Sequence, residues 1–241
     1  ILDKAFNLHL EGNIKEAIKY YKYCIVNNFN DPGIFMNYGI ILKDLGKSED
    51  AIKLIFKAIE LKPDFVEAYA NIGTLYRELS NFVEAEEFTR KAIELNPNIS
   101  SLYQNLGNIL YDQDKLKESE KVSLKAIKMN PDLADAYITL GNIFQDQMKL
   151  EEAEIVSRKA IRINPNLSEG YLNLSSILRF RADLEQAEST LLKLIKLKPN
   201  YADAVFNLSL IQMLQGDYKS GLKNYESRLT MSKEIKPHAQ P

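Results

Sequence analysis

The chain has 241 residues, 31 basic and 33 acidic side chains and a net charge of −2, so general attraction to nucleic acid or to an anionic membrane is not indicated. A single cysteine, Cys24, excludes an internal disulfide and favours a reducing, cytoplasmic setting, and no apolar run is long enough to cross a bilayer. Length alone allows one large domain or two ordinary ones, but a repeat array escapes that count because its core grows along an axis.

In chain order, the first segment, 1–31, reads as a truncated helical repeat. It opens at Ile1 without methionine and inside a helical pattern, which points to a fragment of a longer protein. Six patterns of 34 residues follow, at 32–65, 66–99, 100–133, 134–167, 168–201 and 202–235, and then a tail at 236–241 that reads as an extended exit. Small residues mark the period at Ala17, Ala51, Ala85, Ser119, Ala153, Ala187 and Gly221. A second small series runs Cys24, Ala58, Ala92, Ala126 and Ala160 before lapsing at Leu194. Gly39, Gly73, Gly107 and Gly141 keep the same spacing, continued by Ser175 and Ser209.

Each repeat holds two amphipathic helices. In 134–167 the first carries Ala136, Leu140, Ile143 and Phe144 on one face, and the second carries Leu150, Ala153, Ala160 and Ile161. The small residues stand where two helices must approach closely. Pro63, Pro97, Pro131, Pro165 and Pro199 end the second helices. The next residue is Asp or Asn (Asp64, Asn98, Asp132, Asn166, Asn200), with Glu67, Ser101, Asp135, Glu169 or Asp203 three residues later, which predicts a capping box. Asp31-Pro32 predicts the other kind of start, a cap residue followed by proline at the first helical position.

These landmarks on a 34-residue helix-turn-helix resemble the tetratricopeptide repeat, and the likeness covers nearly the whole chain. Asn105-Leu106-Gly107-Asn108 and Leu140-Gly141-Asn142 resemble most the repeats of O-linked N-acetylglucosamine transferase and its bacterial relatives. The resemblance implies an all-α, right-handed superhelical solenoid whose concave wall is lined by the first helix of each repeat. The family's large residue in the second helix is kept at Tyr21 and Tyr225 but becomes Thr89, Ser123 and Ser157 in the middle repeats, a departure expected to change packing between neighbouring repeats. Pentatricopeptide RNA binders run one residue longer per repeat and are usually basic, and this chain is neither.

Numbering each repeat so that Pro63 is position 32, positions 2, 6, 9 and 13 share one face of the first helix, away from the apolar stripe. Position 6 is Asn37, Asn71, Asn105, Thr139, Asn173 and Asn207; position 9 includes Asn108 and Asn142. Position 13 is Asp44, Glu78, Asp112 and Asp146, then Phe180 and Leu214. Asparagine inside a helix costs about 0.6 kcal/mol relative to alanine, so its recurrence asks for a reason. Its amide offers a donor and an acceptor together and can pair with an extended peptide backbone, while the acids would favour basic side chains on that peptide. The transferase repeats carry such a ladder, which by resemblance gives these asparagines a peptide-binding role. The alternative is that they bond to one another or to water.

The clamp by which other tetratricopeptide arrays hold two carboxylates needs Lys and Arg in the groove. Position 5 here holds Met36, Ala70, Gln104, Ile138 and Leu172, and position 6 no Arg, so that mode is disfavoured. Lys43, Arg77 and Arg179 at position 12 read as scattered, solvent-facing edge charges. Tyr69, Tyr103, Tyr137 and Tyr171 at position 4 read as packing residues with wet hydroxyls, and Cys24 as buried core. No catalytic constellation, metal site or cofactor motif is present: His9 and His238 stand at opposite ends, and no phosphate loop or nucleophile elbow occurs.

Gly216 to Arg228 is similar to the final repeat of bacterial proteins in which the array leads into a glycosyltransferase-like domain, although Leu222 and Leu229 stand where those relatives carry tryptophan. An ordinary capping repeat is the alternative. Two functions follow: a scaffold that binds a partner protein or peptide, not itself an enzyme, or the substrate-recognition arm of a larger enzyme.

Overall fold

The computed structural model of the chain describes the backbone of residues 1–231 and side chains through 226. The predicted tail at 236–241 and the last residues of the repeat at 202–235 lie outside the described residues. Among the described residues every regular element is a helix: α1 (Leu2–Leu10), α2 (Ile14–Val26), α3 (Pro32–Asp44), α4 (Ser48–Leu61), α5 (Val66–Glu78), α6 (Phe82–Leu95), α7 (Ser100–Asp112), α8 (Leu116–Met129), α9 (Ala134–Asp146), α10 (Leu150–Ile163), α11 (Ser168–Phe180), α12 (Leu184–Leu197), α13 (Ala202–Leu214) and α14 (Tyr218–Met231). They pair in order as helical hairpins, and the chain divides within α8 into two compact units, 1–122 and 123–241.

In the first unit, Ala5, Ala17, Tyr21, Cys24, Ile34, Ile41, Ala51, Ile55, Ala58, Ala68, Ile72 and Leu75 form one buried core. In the second, Tyr171, Leu174, Leu178, Ala187, Leu191, Leu194, Ala204, Leu208 and Ile211 do the same. α5 packs beside α3 and α7, and α11 beside α9 and α13, so within each unit the first helices stand side by side as one wall.

The glycines at position 8 explain how the two helices of a hairpin close. A Cβ on Gly39 would meet Ile55 Cγ1 at 2.8 Å and the Ala51 carbonyl oxygen at 3.3 Å. A Cβ on Gly73 would collide with Thr89 Oγ1, and one on Gly141 would lie 3.0 Å from Ser157 Oγ. Thr89 and Ser157 are thus buried against a glycine of their own repeat. The departure from the family pattern at these positions sets how closely the two helices of a repeat approach. The hydroxyls of Thr89, Ser123 and Ser157 are buried without a hydrogen-bond partner among the described residues, whereas the Ser119 hydroxyl donates to the Gly107 carbonyl at 2.6 Å.

The second helices stop two residues short of proline, because the pyrrolidine ring forces the preceding residue out of helical geometry. Asn96 and Asn164 accordingly have extended backbones, and Lys62 and Lys198 have left the helical region. Asp31 caps α3 as the sequence predicts, its carboxylate accepting from the Gly33 N–H at 2.7 Å ahead of Pro32. The predicted capping boxes do not form. The cap positions are Phe65, Ile99, Leu133, Leu167 and Tyr201, one residue later, and none makes a side-chain cap bond. The polar bond lies earlier instead: Asn96, Asn130 and Asn164 each accept, at 3.1 Å, from the backbone N–H two residues on, closing an Asx turn around the proline.

A further series of period 34 closes the first helices. Gly12, Gly46, Ser80, Asp114, Met148, Ala182 and Gly216 all have positive φ, between 58° and 86°. At each, the N–H bonds three residues back and the next N–H five residues back, as in Gly46 to Lys43 and Lys47 to Leu42, both 2.8 Å. This is the Schellman closure, which satisfies carbonyls the helix end would otherwise leave bare.

Candidate functional site

The side chains singled out in the sequence occupy one face of the first helices. In the first unit this face belongs to α3, α5 and α7, in the second to α9, α11 and α13. Asn37, Asn71, Asn105, Asn108, Asn142, Asn173 and Asn207 are all half-buried, as expected for a wall that is polar but not open.

The asparagines behave in different ways. Asn71 Nδ2 donates to the carbonyl of Glu67, one turn earlier in its own helix, at 2.8 Å, which leaves its second N–H and its amide oxygen uncommitted. Asn173 Nδ2 donates to Asn142 Oδ1, a bond from position 6 of one repeat to position 9 of the repeat before it. Gln145 Nε2 makes the next tie, donating to Ser176 Oγ at 3.1 Å. Thr74 and Thr139 turn their hydroxyls back on the carbonyls of Ala70 and Asp135. Among the described residues Asn37, Asn105 and Asn207 carry no side-chain hydrogen bond.

The acidic row is largely engaged inside the wall. Arg77 Nε donates to Asp112 Oδ2 at 2.5 Å, and Lys43 Nζ lies 3.5 Å from Glu78 Oε1 and 3.9 Å from Asp44 Oδ1. Both longer-range pairs join position 12 of one repeat to position 13 of the next, a step of 35 residues. Reading position 12 as scattered, solvent-facing charge is thereby corrected for Lys43 and Arg77. A lone position-12 cation looks arbitrary in a sequence. Its signal is the acid 35 residues on.

On the second helices and the turns before them a charged network recurs that sequence reading missed. Arg90 bridges Glu86 at 2.8 Å and Glu118 at 2.5 Å, with Lys115 on Glu86 at 2.7 Å. In the second unit Arg158 bridges Glu154 at 2.8 Å and Gln186 at 3.0 Å, and Arg181 also pairs with Glu154. Burial pushes the Glu86 carboxyl upward, but hydrogen bonds from Lys115, Arg90 and Gln113 outweigh it and hold the group below the usual carboxylate range.

Cys24 is buried, and the Tyr171 hydroxyl donates to the Pro165 carbonyl at 3.0 Å. Among the described residues no group of three or more His, Cys, Asp or Glu side chains could hold a metal, and no helix is long and apolar enough to cross a membrane.

Helical hairpins of 34 residues, closed by glycine and alanine and laid side by side, define a tetratricopeptide solenoid. Tetratricopeptide repeat models match residues 32–65, 66–99, 88–121, 134–167 and 168–201, and the chain belongs to that family. Among solved structures it is similar to a chain of the APC/C hetero-tetramer Cut9-Hcn1, at TM-score 0.82 and 14% identity, over 95% of this chain and 45% of that one. The chain therefore spans less than half the length of that neighbour. It is also similar to pilF of Pseudomonas aeruginosa (TM-score 0.69, 19% identity, 86% of this chain and 93% of that one). A third neighbour is YrrB, described as a TPR protein with an unusual peptide-binding site (TM-score 0.55, 22% identity, 77% and 95%). No curated protein sequence matches the chain.

Proposed function

We propose that the chain is a protein-interaction scaffold whose inner wall holds an extended segment of a partner through main-chain hydrogen bonds. One observation carries this reading: Asn37, Asn71 and Asn105 stand at the same position of three successive first helices in one unit, half-buried, with amide groups not consumed by neighbouring repeats. A row of amides at one register offers paired donors and acceptors to a backbone of any sequence. The neighbours give support by kind, since one is described by its peptide-binding site and another belongs to a hetero-tetramer.

The acidic row has a smaller part than its charge suggests. Glu78 and Asp112 already have cationic partners, so a basic ligand would have to displace Lys43 or Arg77. The test is to select peptides by display against the intact chain and measure their affinity for Asn37→Ala/Asn71→Ala/Asn105→Ala. Losing these amide bonds should weaken binding by about a hundredfold, at roughly 1 kcal/mol for each of the three. Unchanged affinity in a variant with wild-type circular dichroism would sink the reading.

A further inference from the structure

The tie that closes the wall of the first unit is broken in the second. The step that carries Lys43 onto Glu78 and Arg77 onto Asp112 carries Arg179 onto Leu214. Arg179 is half-buried, and its guanidinium lies 5.2 Å from the centre of the Phe180 ring, a cation–π contact. Among the described residues no carboxylate pairs with it. Phe180 and Leu214, at the position held by acids in earlier repeats, are 53% and 60% exposed. Leu210, one turn before Leu214, is half-buried on the same helix. α11 thus carries an exposed Phe180 beside a guanidinium without an oxygen partner, and the 35-residue register of the first unit puts the exposed Leu214 of α13 at the position where an acid would answer Arg179.

We infer that Arg179, Phe180 and Leu214 form a docking subsite for a partner segment that carries a carboxylate side chain next to an apolar one. The carboxylate takes the place that Asp112 fills beside Arg77, and the apolar side chain covers Phe180 and Leu214. The planar guanidinium, with its fork of donors, suits a carboxylate better than an ammonium would. This subsite rests on the reading of the inner wall as a peptide groove, and it reverses the ligand charge that the acidic row alone suggests.

The test uses the full chain and three labelled synthetic peptides, alternating Leu with Glu, Leu with Gln, and Ser with Glu, measured by fluorescence anisotropy. The Leu–Glu peptide should bind about tenfold tighter than either control, the worth of one charge-assisted hydrogen bond. Arg179→Met should abolish that preference. Leu214→Asp, which rebuilds the tie seen at Arg77, should abolish it as well. Retention of the preference in Arg179→Met, or no measurable binding of the Leu–Glu peptide, overturns the subsite. So does a Leu214→Asp variant that alters only self-association in sedimentation, since the face would then join two copies. Asn173→Ala/Asn207→Ala separates the two readings. Equal weakening of all three peptides in that variant, with no Glu preference in wild type, leaves the groove standing and removes the subsite. A Glu preference that depends on Arg179 but ignores both asparagines keeps the subsite and removes the amides of the second unit from peptide holding, while the groove reading stands or falls on Asn37, Asn71 and Asn105.

Discussion

In residues 1–122 neighbouring first helices are tied by ion pairs, Lys43 with Glu78 and Arg77 with Asp112, whereas in residues 123–241 the ties are between uncharged groups, Asn173 with Asn142 and Gln145 with Ser176, and then cease at Arg179. Both walls rest on the same hairpin frame, with small residues at the same positions beneath them. The difference teaches that frame and wall are specified separately. Positions 8, 20 and 27 are dictated by how closely two helices must pass, while positions 6, 9, 12 and 13 vary between charged, amidic and apolar from repeat to repeat.

The frames themselves can be told apart by mutation, and the largest effect is expected there. Gly39→Ala drives a Cβ against Ile55 Cγ1 and the Ala51 carbonyl, neither the free end of a flexible chain, and should cost about 1–3 kcal/mol in urea unfolding. At Gly141 the nearest atom is the Ser157 hydroxyl at 3.0 Å and the next lies at 3.6 Å. The helix propensity gained there, about 1 kcal/mol, should offset the contact and leave Gly141→Ala near neutral. Equal losses at both sites would show that the two hairpins close alike.

A smaller effect is expected at the corners after the first helices. Gly46 meets its positive φ of 74° freely, but Met148, in the second unit, holds 58° with a side chain. Met148→Gly should raise stability by about 1 kcal/mol and Gly46→Ala lower it by about as much, read from denaturation midpoints.

The ties give the smallest effect. A double-mutant cycle on Arg77→Met and Asp112→Asn should return about 0.5–1 kcal/mol of coupling, since both partners are partly exposed. The same cycle on Arg179→Met and Leu214→Asn should return none, and a Leu214→Asp background should restore it.

Much of the frame was legible in the sequence because packing leaves few choices: a helix crossing closed by Gly73 or Ala85 admits nothing large, so the period shows. Three features were not. The helix starts were misplaced by one residue because an Asp or Asn after proline looks like a cap, while Asn96 and its equivalents take the backbone bond from the other side. The left-handed corner escaped notice because its bonds are main-chain, so Met148 and Ala182 serve where glycine would be looked for. The ion pairs escaped because partners 35 residues apart lie in different repeats, and each charge alone resembles surface decoration. Of the candidate site, the register of the asparagines was readable, but their partners were not, since an amide can bond its own helix, as at Asn71, or a neighbour, as at Asn173.

Those seven corners, from Gly12 to Gly216, bear on how such a chain can be re-engineered and lengthened. Each is fastened by the same pair of backbone bonds whatever residue occupies it, so every joint is interchangeable with every other. A cassette cut from one corner to the next can be spliced in at a third without designing a new turn. The wall it brings, charged, amidic or apolar, then becomes a choice of cargo made independently of the frame that carries it.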